Sequence, residues 1–289
     1  MSEQSIRFMH LHIAIPRVGD HILILGFPIM YYGIVIALGM LCAGVFIVQE
    51  GRKQGFAEDD LLDVLVWGIL CGVIGARVYY VLFSLSSYRG RWPAVFNIRE
   101  GGLAVYGGVI GATLALYVLC RKKGLSFWAL ADICVMGGVI GQIFGRWGNF
   151  FNREAFGGYS DGWLSMQLPV SAVRQADAVT EEMMAHAFTE DGVTWISVHP
   201  TFLYESLWNM GVFLILYFVV RRFRKWDGEI FFSYLFLYGA GRFWIEGLRT
   251  DALLLPAVHL PVSRLLAAAC VVTAVAVLTY KRAQIKHFG

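Results

Sequence analysis

Gly145-Arg146-Trp147-Gly148-Asn149-Phe150-Phe151-Asn152-Arg153-Glu154-Ala155-Phe156-Gly157 closes a long apolar run, yet it carries two arginines, two asparagines and a glutamate. An ionisable group at bilayer depth costs roughly 2.5–3.5 kcal/mol on insertion scales, so packing alone does not collect such residues there. Arg146 and Asn149 are three apart and Arg153 follows four later, which on a helix places all three on one face. That face offers guanidinium forks and amides to an anionic, oxygen-rich group, a task for which arginine is better shaped than lysine. The plainer alternative is an arginine reaching back to the interface, with the asparagines capping the helix end.

Three further stretches carry chemistry-bearing residues inside apolar surroundings. In Tyr238-Gly239-Ala240-Gly241-Arg242-Phe243-Trp244-Ile245-Glu246-Gly247-Leu248-Arg249, the residues Tyr238, Arg242, Glu246 and Arg249 form one helical stripe. Glu246 can hold one arginine there and leave a second for a ligand; otherwise an Arg–Glu pair simply ties two helices together. His199-Pro200-Thr201-Phe202-Leu203-Tyr204-Glu205 opens another run, with Pro200 suited to the first turn and His199 to a capping role. Glu205, one turn in, is costly unless paired, and Arg146, Arg77 or a histidine should meet it. Gly101-Gly102-Leu103-Ala104-Val105-Tyr106-Gly107-Gly108 sets Tyr106 between glycine doublets, a pattern for irregular backbone lining a cavity shielded from lipid. The alternative is that Tyr106 is an interfacial belt residue, and Tyr31-Tyr32-Gly33 poses the same choice.

The elements that must position these residues are membrane helices. The chain is 57% hydrophobic and 16% charged, against roughly 25% charged in soluble domains, and its mean hydropathy is +0.60. That is an all-α polytopic membrane protein. A bilayer core of roughly 30 Å needs about 20 apolar residues per helix, and seven runs qualify: 23–49, 60–84, 102–120, 126–151, 200–220, 229–248 and 260–280. Glycines 107, 108 and 111 in the third run, and 137, 138, 141 and 145 in the fourth, allow close backbone approach in lipid. A net charge of +3 without any basic–aromatic module speaks against nucleic acid as a partner. Cys42, Cys71, Cys120, Cys134 and Cys270 follow no CxxC or Cys/His spacing, so neither a disulfide framework nor a metal site is expected. The first twenty residues lack an apolar h-region, so the first apolar helix is expected to serve for insertion in place of a cleaved signal.

The connections alternate in charge. One side holds Arg52 and Lys53; Arg121, Lys122 and Lys123; Arg221, Arg222, Arg224 and Lys225; and Lys281, Arg282 and Lys286. The other holds Arg7, Arg17, Arg89, Arg91, Arg99, Arg153, Arg174 and Arg249, without a tight cluster. The positive-inside rule then puts the C-terminus in the cytoplasm and the N-terminus outside. Residues 1–289 read as a single integral membrane domain, with 152–198 as a small external head inserted after the fourth helix.

Five blocks, GARVYYVLF, GGLAVYGG, GRWGNFFNREAFG, HPTFLYE and GRFWIEGLR, resemble in this order those of the bacterial prolipoprotein diacylglyceryl transferases. The similarity spans nearly the whole chain. It implies seven helices, with an external head after the fourth, in the bacterial plasma (inner) membrane. It also implies transfer of the diacylglyceryl group of phosphatidylglycerol to the lipobox cysteine thiol of a preprolipoprotein, with release of glycerol phosphate and no cofactor. Carried onto matching positions, it implies Arg146 and Arg242 as the essential arginines and Tyr106 as a further catalytic position. Arg146, Asn149, Glu154, Gly157, Tyr32, Tyr238, Glu246 and Arg249 fall on positions that bind phosphatidylglycerol. Some members have histidine where Tyr106 stands. A phenol with a reference pKa of about 10 can orient groups or relay a proton, but it is a poor base at neutral pH.

Such a reaction asks nothing covalent of the protein. Charge stabilisation at the leaving phosphate, alignment, and help in ionising the thiol suffice. The competing class is an anion or lipid transporter with Arg146 and Arg242 as its binding site; inverted repeats would favour it, and none is legible. A non-catalytic lipid-binding or assembly subunit is the third class.

Overall fold

A computed structural model describes residues 5–98, 101–251 and 261–288. Arg99, one of the loop arginines, and the first residue of the last apolar run lie outside the described residues. In chain order the described elements are β1 (Ile6–Phe8), β2 (Ile13–Ile15), β3 (His21–Ile24), β4 (Phe27–Met30), α1 (Tyr31–Lys53), α2 (Glu58–Phe83), α3 (Val105–Lys123) and α4 (Phe127–Asn152). Next come β5 (Met166–Pro169), α5 (Glu181–Ala185), β6 (Phe188–Glu190), β7 (Val193–Val198), α6 (Thr201–Leu214), α7 (Arg221–Phe223), α8 (Glu229–Ile245) and α9 (Val262–Phe288). Residues Ile215–Val220 form π-helical turns that join α6 to α7 in one rod.

Six of these helices are long and apolar enough to cross a membrane: α1, α2, α3, α4, the Thr201–Phe223 rod and α9. The remaining apolar run, the sixth in order, is α8, 17 residues long, extended by a 3-10 turn over Glu246–Leu248. The chain is a polytopic, mostly helical membrane protein. One boundary departs from expectation. Residues 23–30 do not begin α1; they belong to the β3–β4 hairpin, paired from His21↔Met30 to Ile24↔Phe27. The two-residue connection has φ of 51° at Leu25 and 81° at Gly26, the double positive φ of a type I′ turn that matches the strand twist. Hydropathy alone does not separate such an apolar hairpin from the start of a helix.

The chain divides into two compact units, residues 44–134 and residues 1–43 with 135–289. In the first, α2 and α3 run antiparallel along a glycine seam. A Cβ on Gly107 would land on the Gly75 carbonyl, and one on Gly111 on the Cys71 carbonyl. Gly107 and Gly108 are therefore helical packing residues rather than irregular backbone. The other doublet, Gly101–Gly102, is irregular, with φ of 85° and 77°. Arg77 explains why. Its buried guanidinium donates to the carbonyls of Val95 at 2.7 Å, Gly101 at 2.7 Å, Gly102 at 2.9 Å, Ala94 at 2.7 Å and Asn97 at 3.1 Å. This arginine is committed to holding a loop.

In the second unit a five-stranded antiparallel sheet, in the order β2-β1-β5-β7-β6, forms a head. The insert supplies three strands and the N-terminus the other two, joined through Arg7↔Gln167. The 152–198 insert is thus not a self-contained head. Arg7 fastens it, 2.5 Å from Glu190 and 3.9 Å above the Trp195 ring. The inner face of the sheet, with Ile6, Leu168 and Ile196, packs in one core with Phe150 at the end of α4 and Phe202 at the start of α6. An all-α expectation missed these strands because each is only three to six residues long.

Candidate functional site

α1 packs on α4 in the same unit through small residues. A Cβ on Gly39 would lie 2.8 Å from the Phe144 Cβ, and one on Gly148 would lie 2.6 Å from the Tyr32 ring. Tyr32 therefore rests its ring on α4 at Gly148, the residue before Asn149, with the ring partly exposed.

Arg146 of α4 sets Nη2 2.7 Å from Oε2 of Glu205 in α6. Arg242 of α8 donates through Nη1 to both oxygens of the same carboxylate, at 3.1 Å and 3.0 Å. Its Nη2 lies 2.6 Å from Oε2 of Glu246, one turn further along. Arg249 holds Nη1 4.0 Å from Oε1 of Glu205 and is forked on Asp251, Nε to Oδ1 at 2.9 Å and Nη2 to Oδ2 at 2.8 Å. Ser263 of α9 donates to Glu246. The Glu205 and Glu246 side chains are 4% exposed, so three guanidiniums and three carboxylates compensate one another away from water.

The expectation that Glu205 finds Arg146 is met, and Arg242 joins it. The expectation that the α8 stripe leaves an arginine free is not: Arg242 is gripped by two carboxylates and Arg249 by Asp251. The stripe itself ends at Glu246, because Arg249 comes after the 3-10 turn in extended backbone at φ −78°, ψ 141°. Arg146 differs from the other two. Among the described residues only its Nη2 meets a carboxylate, and the side chain is 20% exposed. A guanidinium carries five N–H donors, and among the described residues neither Nε nor Nη1 of Arg146 is paired with a carboxylate. Tyr238 stacks on Tyr234 at 5.3 Å, and Tyr234 accepts from Gln142 of α4 at 2.8 Å.

α4 ends at Asn152, and the chain then bends tightly. Arg153 and Ala155 take positive φ, 49° and 56°, sparsely populated values for residues with a Cβ. Arg153 consequently leaves the Arg146–Asn149 face; it is buried and donates to the Val18 carbonyl. Glu154, between the two bends, accepts from Asn149 Nδ2 at 3.1 Å and Asn152 Nδ2 at 3.0 Å, with Arg174 Nε at 3.4 Å on its other oxygen. Asn149 and Glu154 thus form one acid–amide group, with Arg146 one turn earlier on the same helix.

Gly157 acts through its backbone. Its N–H donates to the His199 carbonyl at 2.9 Å, and the next N–H to the Leu248 carbonyl at 2.9 Å, bridging Gly157 to Arg249. Thr201 donates to the Ala155 carbonyl. These contacts lock together the exit of α4, the entry of α6 and the end of α8, the three places that present Arg146, Glu205 and Arg249. A Cβ at Gly157 would lie 2.8 Å from both the Leu248 carbonyl oxygen and the His199 Cβ. Gly157→Ala is expected to cost about 1–3 kcal/mol through overpacking, read as a fall of several degrees in the melting temperature of detergent-solubilised protein. An unchanged melt would show that the segments part without strain.

His199 sits at this lock. Burial lowers its pKa, which keeps the imidazole neutral at neutral pH, and Nδ1 lies 3.3 Å from the Tyr204 hydroxyl. Its carbonyl does the bridging, in keeping with a structural role. Tyr106 belongs to the other unit, at the start of α3, partly exposed and 6.5 Å from the Tyr79 ring. Reading the sequence for site residues missed Asp251, Ser263 and Asn152. An acid two residues past Arg249 was the one available signal.

The family described as prolipoprotein diacylglyceryl transferase matches residues 21–280. The chain is 40% identical over 264 residues to the phosphatidylglycerol–prolipoprotein diacylglyceryl transferase of Finegoldia magna, a match covering 91% of this chain and 96% of that one. It is 40% identical over 230 residues to the protein of the same name from Clostridioides difficile, covering 80% and 82%. The Bacillus mycoides protein of that name is also 40% identical over 230 residues, covering 79% and 80%.

Proposed function

The chain belongs to the prolipoprotein diacylglyceryl transferase family, and from that premise we propose that it moves the diacylglyceryl group of phosphatidylglycerol onto the lipobox cysteine of a preprolipoprotein. The thiolate attacks the glyceryl carbon, a C–S bond forms as the C–O bond breaks, and glycerol phosphate leaves with the electron pair. Nothing in the family or the relatives supports the transporter reading.

The observation that carries the assignment of roles is the state of Arg146. Its charge is anchored on Glu205 through Nη2 while Nε and Nη1 remain for the phosphate. In this reading Arg146 stabilises the charge that grows on the leaving phosphate, and Arg242 completes the positive field. Glu205, Glu246 and Asp251 hold the arginines in register. Asn149 and Glu154 offer amide and carboxylate to the glycerol hydroxyls of the headgroup, Tyr32 and Tyr238 flank the lipid, and Gly157 keeps the segments close. A nearby guanidinium pair also favours ionisation of the cysteine, whose reference pKa is about 8.5. The test is incubation of purified protein with phosphatidylglycerol and a lipobox peptide. A peptide mass raised by one diacylglyceryl group, with glycerol phosphate released, is expected; an unmodified peptide with intact lipid would overturn the reading.

Tyr106 we assign an orienting role. Tyr106→Phe deletes one hydroxyl, and a hydrogen bond to a charged group is worth roughly 1.5–3 kcal/mol, so a loss of about tenfold in turnover is expected. The pH profile should stay unchanged, because the thiol's own ionisation sets it. A loss beyond about a hundredfold with an altered pH profile would make the phenol a proton carrier.

The basic clusters of the short loops support a plasma-membrane orientation with the head outside and the C-terminus in the cytoplasm. A cysteine at exposed Asp161, in the head, is expected to react with a membrane-impermeant maleimide in intact spheroplasts. Labelling that appears only after lysis would invert the orientation.

A further inference from the structure

The α2–α3 pair carries a groove of about 680 Å³, running from Leu82 and Gly107 at one end to Trp67 and Lys122 at the other. The stretch of α2 from Trp67 to Leu82, at 1.5 Å per residue, makes it about 22 Å long. One leaflet's share of the hydrocarbon core is about 15 Å. Its floor is shallow-sided because Gly75, Gly107 and Gly111 are already pressed against the opposing backbone, and Ala115 continues the line. Those glycines leave the groove floor without side chains, and a thin, flexible chain fits along such a floor.

One lining residue is charged. Lys123, next to it, is neutralised by Asp60 at 2.6 Å and by Asp63. Lys122, exposed at the groove mouth, has no carboxylate in reach among the described residues. An uncompensated ammonium at the end of an apolar trough, on helices that cross a membrane, complements an anionic phospholipid: phosphate at the amine, one acyl chain in the trough. We propose that the α2–α3 groove binds one acyl chain of an anionic phospholipid whose phosphate pairs with Lys122. The phosphate end of the groove, at Lys122, lies at the opposite end of α3 from Tyr106, and lipid binding there does not depend on the transfer reaction.

Trp67 at the mouth reports on it directly, because brominated acyl chains quench tryptophan only on contact. The full protein, reconstituted in phosphatidylcholine bilayers, receives small fractions of brominated phosphatidylglycerol or brominated phosphatidylcholine. The Trp67 signal is the difference between the wild type and Trp67→Phe. Brominated phosphatidylglycerol is expected to quench it about fivefold more effectively per mole, the preference one lysine gives at an anionic surface. Lys122→Gln should bring the ratio to one. Ala115→Phe, which fills the floor, should weaken quenching of Trp67 by both lipids and spare the other tryptophans. Equal quenching by the two lipids in wild type would reduce the groove to ordinary lipid contact and overturn the proposal. So would a preference that survives Lys122→Gln, or a Trp67 that neither lipid quenches because protein covers the groove.

Discussion

Glu205→Gln is expected to lower kcat/KM for transfer by at least a hundredfold. The amide keeps the shape of the side chain and removes its charge, leaving three guanidiniums with two carboxylates in a site shielded from water. Removing one partner of a buried ion pair costs about 3–5 kcal/mol, and here a single carboxylate answers two arginines in contact and a third at 4.0 Å. If that loss fell wholly on the geometry of the transition state, it would amount to about two to four powers of ten in rate. Part of it should appear instead as a lower melting temperature, so both must be measured on the same preparation. Turnover near wild type in a folded variant would mean that Arg146 and Arg242 keep their places without Glu205.

Arg146→Lys should lose about a hundredfold in turnover while the protein still inserts and melts as before. The substitution preserves one positive charge and the ion pair to Glu205 is within a lysine's means, so stability is little changed. What disappears is the planar fork. A guanidinium meets a carboxylate with one edge and a phosphate with another, whereas an ammonium directs its donors from a single point. The pairing of the two variants is informative: Glu205→Gln disturbs positioning and stability together, Arg146→Lys only the contact with the leaving group. A lysine variant with wild-type turnover would remove Arg146 from the phosphate.

Hydropathy made the helical plan legible, because about 20 apolar residues in sequence are a long-range signal that local detail does not erase. The pairing of Glu205 with Arg146 was legible for a related reason: a carboxylate one turn into an apolar helix must find a cation, and few were available. The hairpin at 21–30 was not, since its strands are as apolar as the adjoining helix and only the turn at Leu25–Gly26 distinguishes them. Arg153 escaped the helical-face reading because a bend of one residue, invisible in composition, carries its side chain to Val18 instead. Arg77 was one of the cations expected to meet Glu205; its five carbonyl partners come instead from a loop whose course no periodicity reveals.

The sheet pairing Arg7↔Gln167 has a consequence for how the chain can be threaded and made. Two strands hydrogen-bonded to each other occupy the same side of a bilayer, so an even number of crossings must separate β2 from β5, and α1 to α4 supply four. Parity of this kind holds whichever side the head occupies. It also fixes an order of events during synthesis. β1 emerges first but has only the three-residue β2 to pair with until four helices have been inserted and the β5 segment has come out after them. Contacts between segments so distant in sequence form late and slowly, and an N-terminal hairpin waiting at the membrane surface with an unpaired edge is the species most exposed to mispairing.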